Sequence, residues 1–228
     1  MSIEFLKKVL KSSLSINIYL TFIYYSVKII RKSNFVELGG FTVSVNDVER
    51  ILISSEELSD IVSRLAGEIS RDYGENDGHL VLLCILKGSI VFMGDLMKKL
   101  TVPVEIDCMK VSSYGNGTVS GGNVNILLDF VRPDMDKCDI LIIEDIIDSG
   151  RTLSYLVGYL EHKGARSVKT CTLLDKPSRR VVDFVPDYIG AEIPDEFVVG
   201  YGLDFAEKYR ELPFVGILKP EVYTNCEE

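Results

Sequence analysis

The chain has 228 residues, of which 46% are hydrophobic and 26% charged, and its formal net charge is −9. This composition is typical of a globular protein with one folded domain, and the negative charge opposes non-specific binding to nucleic acid. Five cysteines without C-x-x-C spacing and only two histidines argue against a zinc site or a Ser-His-Asp triad. We interpret the cysteines as reduced thiols of a cytoplasmic protein and expect no nucleic-acid partner.

The first 42 residues differ from the rest of the chain, because they carry six basic and only two acidic side chains. Residues 12–27 are uncharged and mostly apolar, but the run is short and interrupted compared with the about 20 apolar residues of a membrane helix. It also lacks the small-residue cleavage site of a signal peptide. Three alternatives stay open: a mis-called start with translation beginning near Val43, a dispensable extension, and a membrane anchor, of which the last is the least favoured. We predict that residues 1–42 lie outside the fold and that residues 43–228 form the domain.

The first half of the domain alternates helical and extended patterns. Ser54 or Ser55, followed by Glu56 and Glu57, predicts a capped helix that runs to about Tyr73. Beyond it we predict a strand at 80–86, a helix at 90–100, a strand at 104–111, a mobile Gly/Ser/Asn-rich loop at 112–123 and a strand at 124–130.

The second half repeats the alternation. Four consecutive apolar residues, 140–143, indicate a strand buried on both faces, which we place at 139–144. It is followed by a helix at 152–163 that ends at Gly164, and by strands at 168–174, 188–193, 197–201 and 214–218. The pattern predicts a single α/β domain with a mostly parallel, doubly wound sheet.

Polar side chains stand at the predicted carboxyl ends of four strands, where ligands bind in such sheets. These side chains are Lys87, Ser112 with Ser113, Glu144 with Asp145, and Asp175 with Lys176. Their convergence predicts one binding site at this edge of the sheet.

The segment from Glu144 to Thr152 carries the most chemical information. Glu144 and Asp145 can accept hydrogen bonds from sugar hydroxyls or hold Mg²⁺. After Asp148, a small hydroxyl-rich loop opens a helix whose unpaired N–H groups can bind a phosphate dianion. On a regular strand the two adjacent acids would point to opposite faces, so the chain must turn if both are to reach one ribose.

This segment, Glu144-Asp145-Ile146-Ile147-Asp148-Ser149-Gly150-Arg151-Thr152, resembles the phosphoribosyl pyrophosphate motif of type I phosphoribosyltransferases. The dipeptide before Asp148 is similar to that of the hypoxanthine-guanine branch, in particular its bacterial members. Further similar segments follow the family's order: Leu86-Lys87-Gly88-Ser89, residues 112–117, Leu173-Leu174-Asp175-Lys176-Pro177, residues 195–204, and Tyr209-Arg210. The resemblance covers roughly residues 48–223.

The resemblance implies a type I phosphoribosyltransferase fold with a small hood formed by C-terminal segments. It implies purine salvage: transfer of the phosphoribosyl group from 5-phosphoribosyl 1-pyrophosphate to hypoxanthine and/or guanine, with Mg²⁺ as cofactor. It also implies a homo-oligomer, dimer or tetramer. Two alternatives stay open, a phosphoribosyltransferase for another base such as xanthine and a non-catalytic nucleotide-binding regulator. The intact Asp148, Lys176 and Asp204 argue against the regulator.

The resemblance also assigns roles on the phosphoribosyl pyrophosphate side. Glu144 and Asp145 contact the ribose hydroxyls and, with Asp204, the Mg²⁺ shell. The 5′-phosphate is bound by the loop residues Ser149, Gly150, Arg151 and Thr152. Pyrophosphate is bound by Lys87 and Gly88, which follow a cis peptide bond at Leu86–Lys87, and by Arg210, whose alternative is an ordinary helix-surface arginine.

On the base side, the resemblance makes Asp148 the general base and acid at purine N7, whereas its ordinary alternative is a helix N-cap. Lys176 donates to the exocyclic O6, unless it is only a solvated strand-end lysine. Phe197, whose alternative is a core position, stacks on the purine, and the Val198 backbone contacts the edge of the base. Ser113 and Tyr114 belong to a lid that excludes water.

Overall fold

The computed structural model describes residues 46–74, 79–113 and 124–224, together with the backbone of two short strands before them. Residues 1–34 and the loop 114–123, with the predicted lid residue Tyr114, lie outside the described residues. The elements in chain order are β1 (Phe35–Leu38), β2 (Phe41–Ser44), β3 (Val48–Ile53), α1 (Ser55–Asp72), β4 (His79–Leu86), α2 (Ile90–Met97), β5 (Glu105–Ser113), β6 (Val124–Leu128), β7 (Cys138–Ile147), α3 (Arg151–His162), β8 (Ser167–Asp175), β9 (Tyr188–Glu192), β10 (Val198–Val199), β11 (Val215–Leu218) and α4 (Pro220–Thr224).

The chain divides into two units, residues 1–49 and residues 50–228. In the first, β1 and β2 pair antiparallel, with Val36 opposite Val43. The prediction that residues 1–42 lie outside the fold stays a prediction. None of the described helices is both long and apolar enough to cross a membrane.

The main sheet of the second unit has six strands in the order β6-β5-β4-β7-β8-β9. Strands β5, β4, β7, β8 and β9 run parallel, and β6 pairs antiparallel with β5 at the edge. A smaller sheet in the order β10-β11-β3 contains two C-terminal strands and corresponds to the predicted hood. The α/β class and the mostly parallel sheet are confirmed.

Helices cover both faces of the main sheet. Helix α1 buries Leu65 and Ile69 in a cluster with Leu82 and Leu141, whereas α3 buries Leu156 in a second cluster on the other face. Each face of the buried strands therefore belongs to a different core, as a doubly wound sheet requires.

The start of α1 follows the predicted capping box. The Ser54 hydroxyl accepts a hydrogen bond from the Glu57 N–H at 3.2 Å, and the Glu57 carboxylate accepts one from the Ser54 N–H at 2.8 Å. Such a cap stabilises a helix by about 1 kcal/mol.

Several predicted boundaries were wrong. Strand β5 continues to Ser113 and not only to residue 111, and β6 ends at Leu128 and not at residue 130. Helix α2 ends at Met97 and not at residue 100, and β7 continues past the acid pair to Ile147. Strand β10 has two residues instead of the predicted five, because Gly200 and Tyr201 have φ angles of 98° and 52°. Left-handed backbone cannot continue a strand.

Candidate active site

The loop after β4 forms one wall of the site. The peptide bond between Leu86 and Lys87 is cis, which confirms the prediction for it. A Cβ atom added to Gly88 would lie 1.6 Å from Oδ2 of Asp145, so only glycine allows the loop to come this close to β7. The loop and the acid pair are therefore in direct contact.

A segment after β10 packs on the same loop. A Cβ atom at Gly202, where φ is 103°, would lie 2.0 Å from the carbonyl oxygen of Gly88. The Gly202 carbonyl accepts a hydrogen bond from Nη1 of Arg210 at 2.7 Å. Two glycines thus bring Arg210 to the loop that carries Lys87.

The predicted turn at the acid pair takes the form of an irregularity within β7. Ile143 and Ile146 both pack in or against the core under α1, although an odd separation on a regular strand would place them on opposite faces. Ile142 and Ile147 share the other core in the same way. The alternation is therefore broken between residues 143 and 146, where Glu144 and Asp145 stand.

Both acids are poorly solvated. Burial, and then the neighbouring Asp145, raises the pKa of Glu144 well above its ordinary value, and burial raises the pKa of Asp145 to about 6. Oε2 of Glu144 is buried and has no hydrogen-bond partner within the described part of the chain. A cation or a hydroxyl donor from a ligand would compensate for this desolvation.

The predicted magnesium residues do not form a ready-made cage. In the described ranges, no three His, Cys, Asp or Glu side chains lie close enough together to hold a metal ion. The Asp204 carboxylate is engaged by Arg210 at 2.8 Å and by the Glu207 N–H at 2.9 Å. The unpaired Glu144 oxygen and the adjacent Asp145 nevertheless fit Mg²⁺, which commonly binds through one or two carboxylates, waters and substrate phosphates.

The phosphate loop lies between β7 and α3. Gly150 is the N-cap residue of α3, with φ at 79°, so the alternative that Asp148 caps this helix was wrong. The Ser149 hydroxyl accepts from the Arg151 N–H at 3.4 Å, and the Ser149 carbonyl accepts from the Val181 N–H at 3.1 Å. The loop leads directly into the first turn of α3, which begins with Arg151 and Thr152. A helix N-terminus of this kind favours a bound phosphate.

Asp148 and Lys176 lie side by side. Oδ1 of Asp148 is 3.8 Å from Nζ of Lys176, and Oδ2 is 3.7 Å from Nε of Arg179. Oδ1 is buried and makes no hydrogen bond to any residue that the structure describes. Lys176 is only 6% exposed, so its alternative as a solvated strand-end lysine was wrong.

Aromatic side chains stand on the hood. Phe197 is 39% exposed. Its ring stacks on Tyr223 with centroids 4.9 Å apart and forms a T-shaped contact with Phe205 with centroids 5.6 Å apart. Val198 is buried in β10 and pairs with Ile217. A partly open aromatic ring is compatible with stacking on a flat base, whereas the core alternative for Phe197 does not fit its exposure.

A network of charged side chains connects the loop after β4 to the segment after β10. Nζ of Lys87 lies 2.9 and 3.0 Å from the two carboxylate oxygens of Glu207, and Arg210 also approaches Glu207 at 3.4 Å. We call Lys87, Asp204, Glu207 and Arg210 the ion network. The alternative that Arg210 is a helix-surface residue was wrong, because it lies outside every helix and binds Gly202 and Asp204.

Three contributors to the site were not identified from the sequence. Arg180 donates to the carbonyls of Asp148 and Phe184 and forms an ion pair with Asp175, so it fixes the loop from the segment that follows β8. Glu207 and Gly202 were not singled out either. Charged residues in a polar segment are usually solvated, and only the folded chain shows these contacts.

Comparisons with known proteins agree with this geometry. The phosphoribosyl transferase domain family matches residues 52–206. The hypoxanthine-guanine phosphoribosyltransferase of Bacillus subtilis is 51% identical over 180 residues, which cover 79% of this chain and 98% of that protein. The bifunctional protein TilS/HprT of Listeria monocytogenes is 50% identical over 189 residues, but this chain spans only 28% of its length.

Solved structures show the same relationship. A hypoxanthine phosphoribosyltransferase from Staphylococcus aureus superposes with a TM-score of 0.73 at 46% identity, covering 78% of this chain and 95% of that one. The similarity therefore extends over nearly the whole of the described α/β unit. The chain belongs to the phosphoribosyl transferase domain family and, within it, to the hypoxanthine-guanine phosphoribosyltransferases.

Proposed function

We propose that this chain salvages purines by transferring the phosphoribosyl group of 5-phosphoribosyl 1-pyrophosphate to hypoxanthine and/or guanine. The products are IMP or GMP and pyrophosphate. The observation that carries the proposal is the pair Asp148 and Lys176, 3.8 Å apart at the ends of adjacent strands.

This pair can bind two neighbouring atoms of a 6-oxopurine. The buried Lys176 ammonium donates to O6, and a 6-amino group, which offers donors, would oppose the same cation. The unpaired Oδ1 of Asp148 accepts the N7 proton as the base attacks the ribose, and it returns the proton in the reverse reaction. Phe197 stacks on the base, and the backbone of Val198 contacts its edge.

The remaining groups hold the other substrate. Ser149, Gly150, Arg151 and Thr152 bind the 5′-phosphate at the start of α3, and Glu144 and Asp145 accept hydrogen bonds from the ribose hydroxyls. Lys87, Gly88 and Arg210 bind pyrophosphate. Ser113 and Tyr114 belong to a lid that excludes water.

Mg²⁺ fits this arrangement as an ion that arrives with the substrate. Glu144 and Asp145, with Asp204 through water, would hold it, and when bound it neutralises charge on the departing pyrophosphate. The enzyme's own contribution is the positioning of both substrates and of the N7 proton acceptor. We further propose that the protein is cytoplasmic and forms a dimer or tetramer, which light scattering of the purified protein tests.

Base-dependent release of pyrophosphate tests the proposal. The purified chain should turn over with hypoxanthine or guanine and much more slowly with adenine. Turnover with xanthine alone would instead support a xanthine enzyme, and no turnover with any base would support a regulator.

Lys176→Ala should raise KM for the base with little change in KM for phosphoribosyl pyrophosphate. Lys169→Ala is the matched control, because Lys169 lies on β8, the strand that leads to Lys176, but its ammonium approaches the rings of Tyr73 and Tyr188. An unchanged KM for the base in Lys176→Ala would refute its role at O6.

A further inference from the structure

Two cysteines lie side by side below the loop that carries Lys87 and Gly88. Cys84 on β4 and Cys108 on β5 are register partners in a parallel ladder, and both are free thiols. Both side chains belong to or pack against the core under α1, so they are on the same face of the sheet. Burial raises the pKa of Cys84 to about 11, and the neighbouring Cys108 thiol and Glu144 carboxylate also raise it, whereas the Ser89 hydroxyl lowers it.

The spacing of these thiols decides what they can bind. Neighbouring strands are about 4.8 Å apart, and in-register side chains of a parallel pair stand next to each other at about that separation. A disulfide needs Cβ atoms about 3.5–4.5 Å apart and sulfur atoms about 2.05 Å apart. A cation between two sulfur atoms spans the wider gap without any movement of the backbone.

The donors decide which cation fits. Across the described ranges, no group of three or more metal-binding side chains is present, so the site offers two sulfur ligands and no tetrahedral set. Zinc, which usually takes four ligands, is disfavoured, whereas thiolates select Cu(I). We propose that Cys84 and Cys108 form a dithiol site for a soft monovalent cation of the Cu(I) class. On binding, each thiol loses its proton to solvent and two sulfur–metal bonds form, without oxidation or reduction.

The site is connected to the phosphoribosyl pyrophosphate loop through Ser89. The single hydroxyl proton of Ser89 is donated to the Ile85 carbonyl at 2.5 Å, so its oxygen accepts from the Cys84 thiol at 3.2 Å. Ser89 is fully buried, directly follows Gly88 and is the N-cap residue of α2. Binding of the cation removes the thiol proton and with it this hydrogen bond.

The consequence for the enzyme follows from the position of Ser89 and rests on the proposed function of Lys87 and Gly88. Strand β4 leads to these residues, and β5 leads to Ser113 at the start of the proposed lid. A cation that joins the two strands therefore acts on the pyrophosphate side of the site and not on the base side. We expect KM for phosphoribosyl pyrophosphate to rise severalfold, with KM for the base nearly unchanged.

The test is an anaerobic titration of the full chain with Cu(I) against a competing chelator. The background is Cys226→Ser, which removes the thiol at the C-terminal end of the chain. One tightly bound Cu(I) per chain is expected, and it should be lost in Cys108→Ser and in Cys84→Ser. Cys138→Ser is the matched control, because the Cys138 thiol lies on β7 and donates to the Asp134 carbonyl at 3.3 Å. This control should retain the ion.

Retention of the ion in Cys108→Ser would overturn the site. A Cys84–Cys108 disulfide formed on treatment with diamide would overturn the spacing argument that selects a cation. If Cu(I) binds but leaves KM for phosphoribosyl pyrophosphate unchanged, the coupling through Ser89 is wrong. Copper stoichiometry and the accompanying shift in Tm do not depend on turnover, so a failure of the proposed function leaves them decisive.

Discussion

The site contains two groups of carboxylates that differ in their hydrogen-bond and ion-pair partners. At the end of β7, Glu144 and Asp148 each bury a carboxylate oxygen that has no hydrogen-bond partner among the described residues. In the ion network, Asp204 and Glu207 are paired with Arg210 and Lys87 at 2.8–3.0 Å. The cations nearest to Asp148, Lys176 and Arg179, lie 3.8 and 3.7 Å away, beyond hydrogen-bond distance, whereas Asp204 and Glu207 each have a direct cationic partner.

The difference indicates how each group meets its ligand. An unpaired buried acid costs free energy until a ligand supplies a donor or a cation, so the end of β7 is organised for binding before the substrate arrives. If Lys87 and Arg210 bind pyrophosphate as proposed, this anion must displace the Glu207 carboxylate from them. Under that proposal, a ligand at the end of β7 fills an unpaired position, whereas a ligand in the ion network replaces an existing ion pair.

The largest effect is expected at Gly88, which lies between the acid pair of β7 and Lys87 of the ion network. Gly88→Ala places a Cβ atom 1.6 Å from Oδ2 and 2.6 Å from Cγ of Asp145, so the acid must move. Displacement by about 1 Å can cost about 10²-fold in rate, and we expect kcat/KM for phosphoribosyl pyrophosphate to fall by at least that factor. Gly94→Ala is the control, because its new Cβ meets no atom within 4 Å. Steady-state kinetics of both variants decide, and wild-type activity in Gly88→Ala would contradict the packing.

The second prediction concerns the unpaired oxygen of Asp148. Asp148→Asn should lose about 10²-fold in kcat, because the amide cannot accept the N7 proton, while Tm stays within a few degrees of wild type. Asp195→Asn is the control, since Asp195 pairs with the same Arg179, at 3.0 Å. A variant that is unstable but retains specific activity would show that Asp148 is structural.

A third and smaller effect concerns stability against pH in the ligand-free protein. The pKa of Asp145 is raised from 3.8 to about 6, so the fold favours its protonated form, and stability falls as the pH rises through this window. Asp145→Asn removes that loss. At about pH 8 the variant should melt a few degrees above wild type, whereas at about pH 3 the two should coincide, since roughly 2–4 °C corresponds to 1 kcal/mol for a chain of this size. Calorimetry across this range tests the sign, and an equal Tm at both pH values would refute it.

The smallest effect is expected in the ion network. Glu207→Gln should lower KM for phosphoribosyl pyrophosphate, because Lys87 no longer has a competing carboxylate and Arg210 keeps only its ion pair with Asp204. Half-exposed ion pairs contribute at most about 1 kcal/mol, so the change should be less than about fivefold. Glu211→Gln, an acid on the same segment, is the control. A raised KM in Glu207→Gln would mean that Glu207 positions the two cations and does not compete for them.

The alternation of elements was predictable because buried parallel strands have long apolar runs, as residues 140–143 do. The break in alternation at Glu144 and Asp145 was foreseen as a requirement, but its form was not. The neighbouring strand β8 has a matching break, because the consecutive residues Leu173 and Leu174 both join the core under α1. Since β8 lies some 30 residues further along the chain, a local sequence pattern cannot reveal this match.

The contacts that could not be predicted from the sequence also join residues that are far apart in the chain. Gly88 was identified from its motif, but its need for glycine comes from Asp145 and from the approach of Gly202, 114 residues later. Arg180 is similar, because its role depends on meeting the carbonyl of Asp148 across a separation of 32 residues. Spacing within the sequence gives no measure of such distances, whereas it does give the capping box at Ser54 and Glu57.

The hydrogen bond from the Lys176 N–H to the Ile147 carbonyl, at 3.0 Å, has a consequence for base selection. It joins the backbone of the proposed O6 donor to the residue directly before Asp148, the proposed N7 acceptor. The backbone positions that carry the Lys176 ammonium and the Asp148 carboxylate are therefore set when the sheet forms. Discrimination between a 6-oxo and a 6-amino group should then tolerate changes in the lid, and altering it would require substitutions where these two strands end.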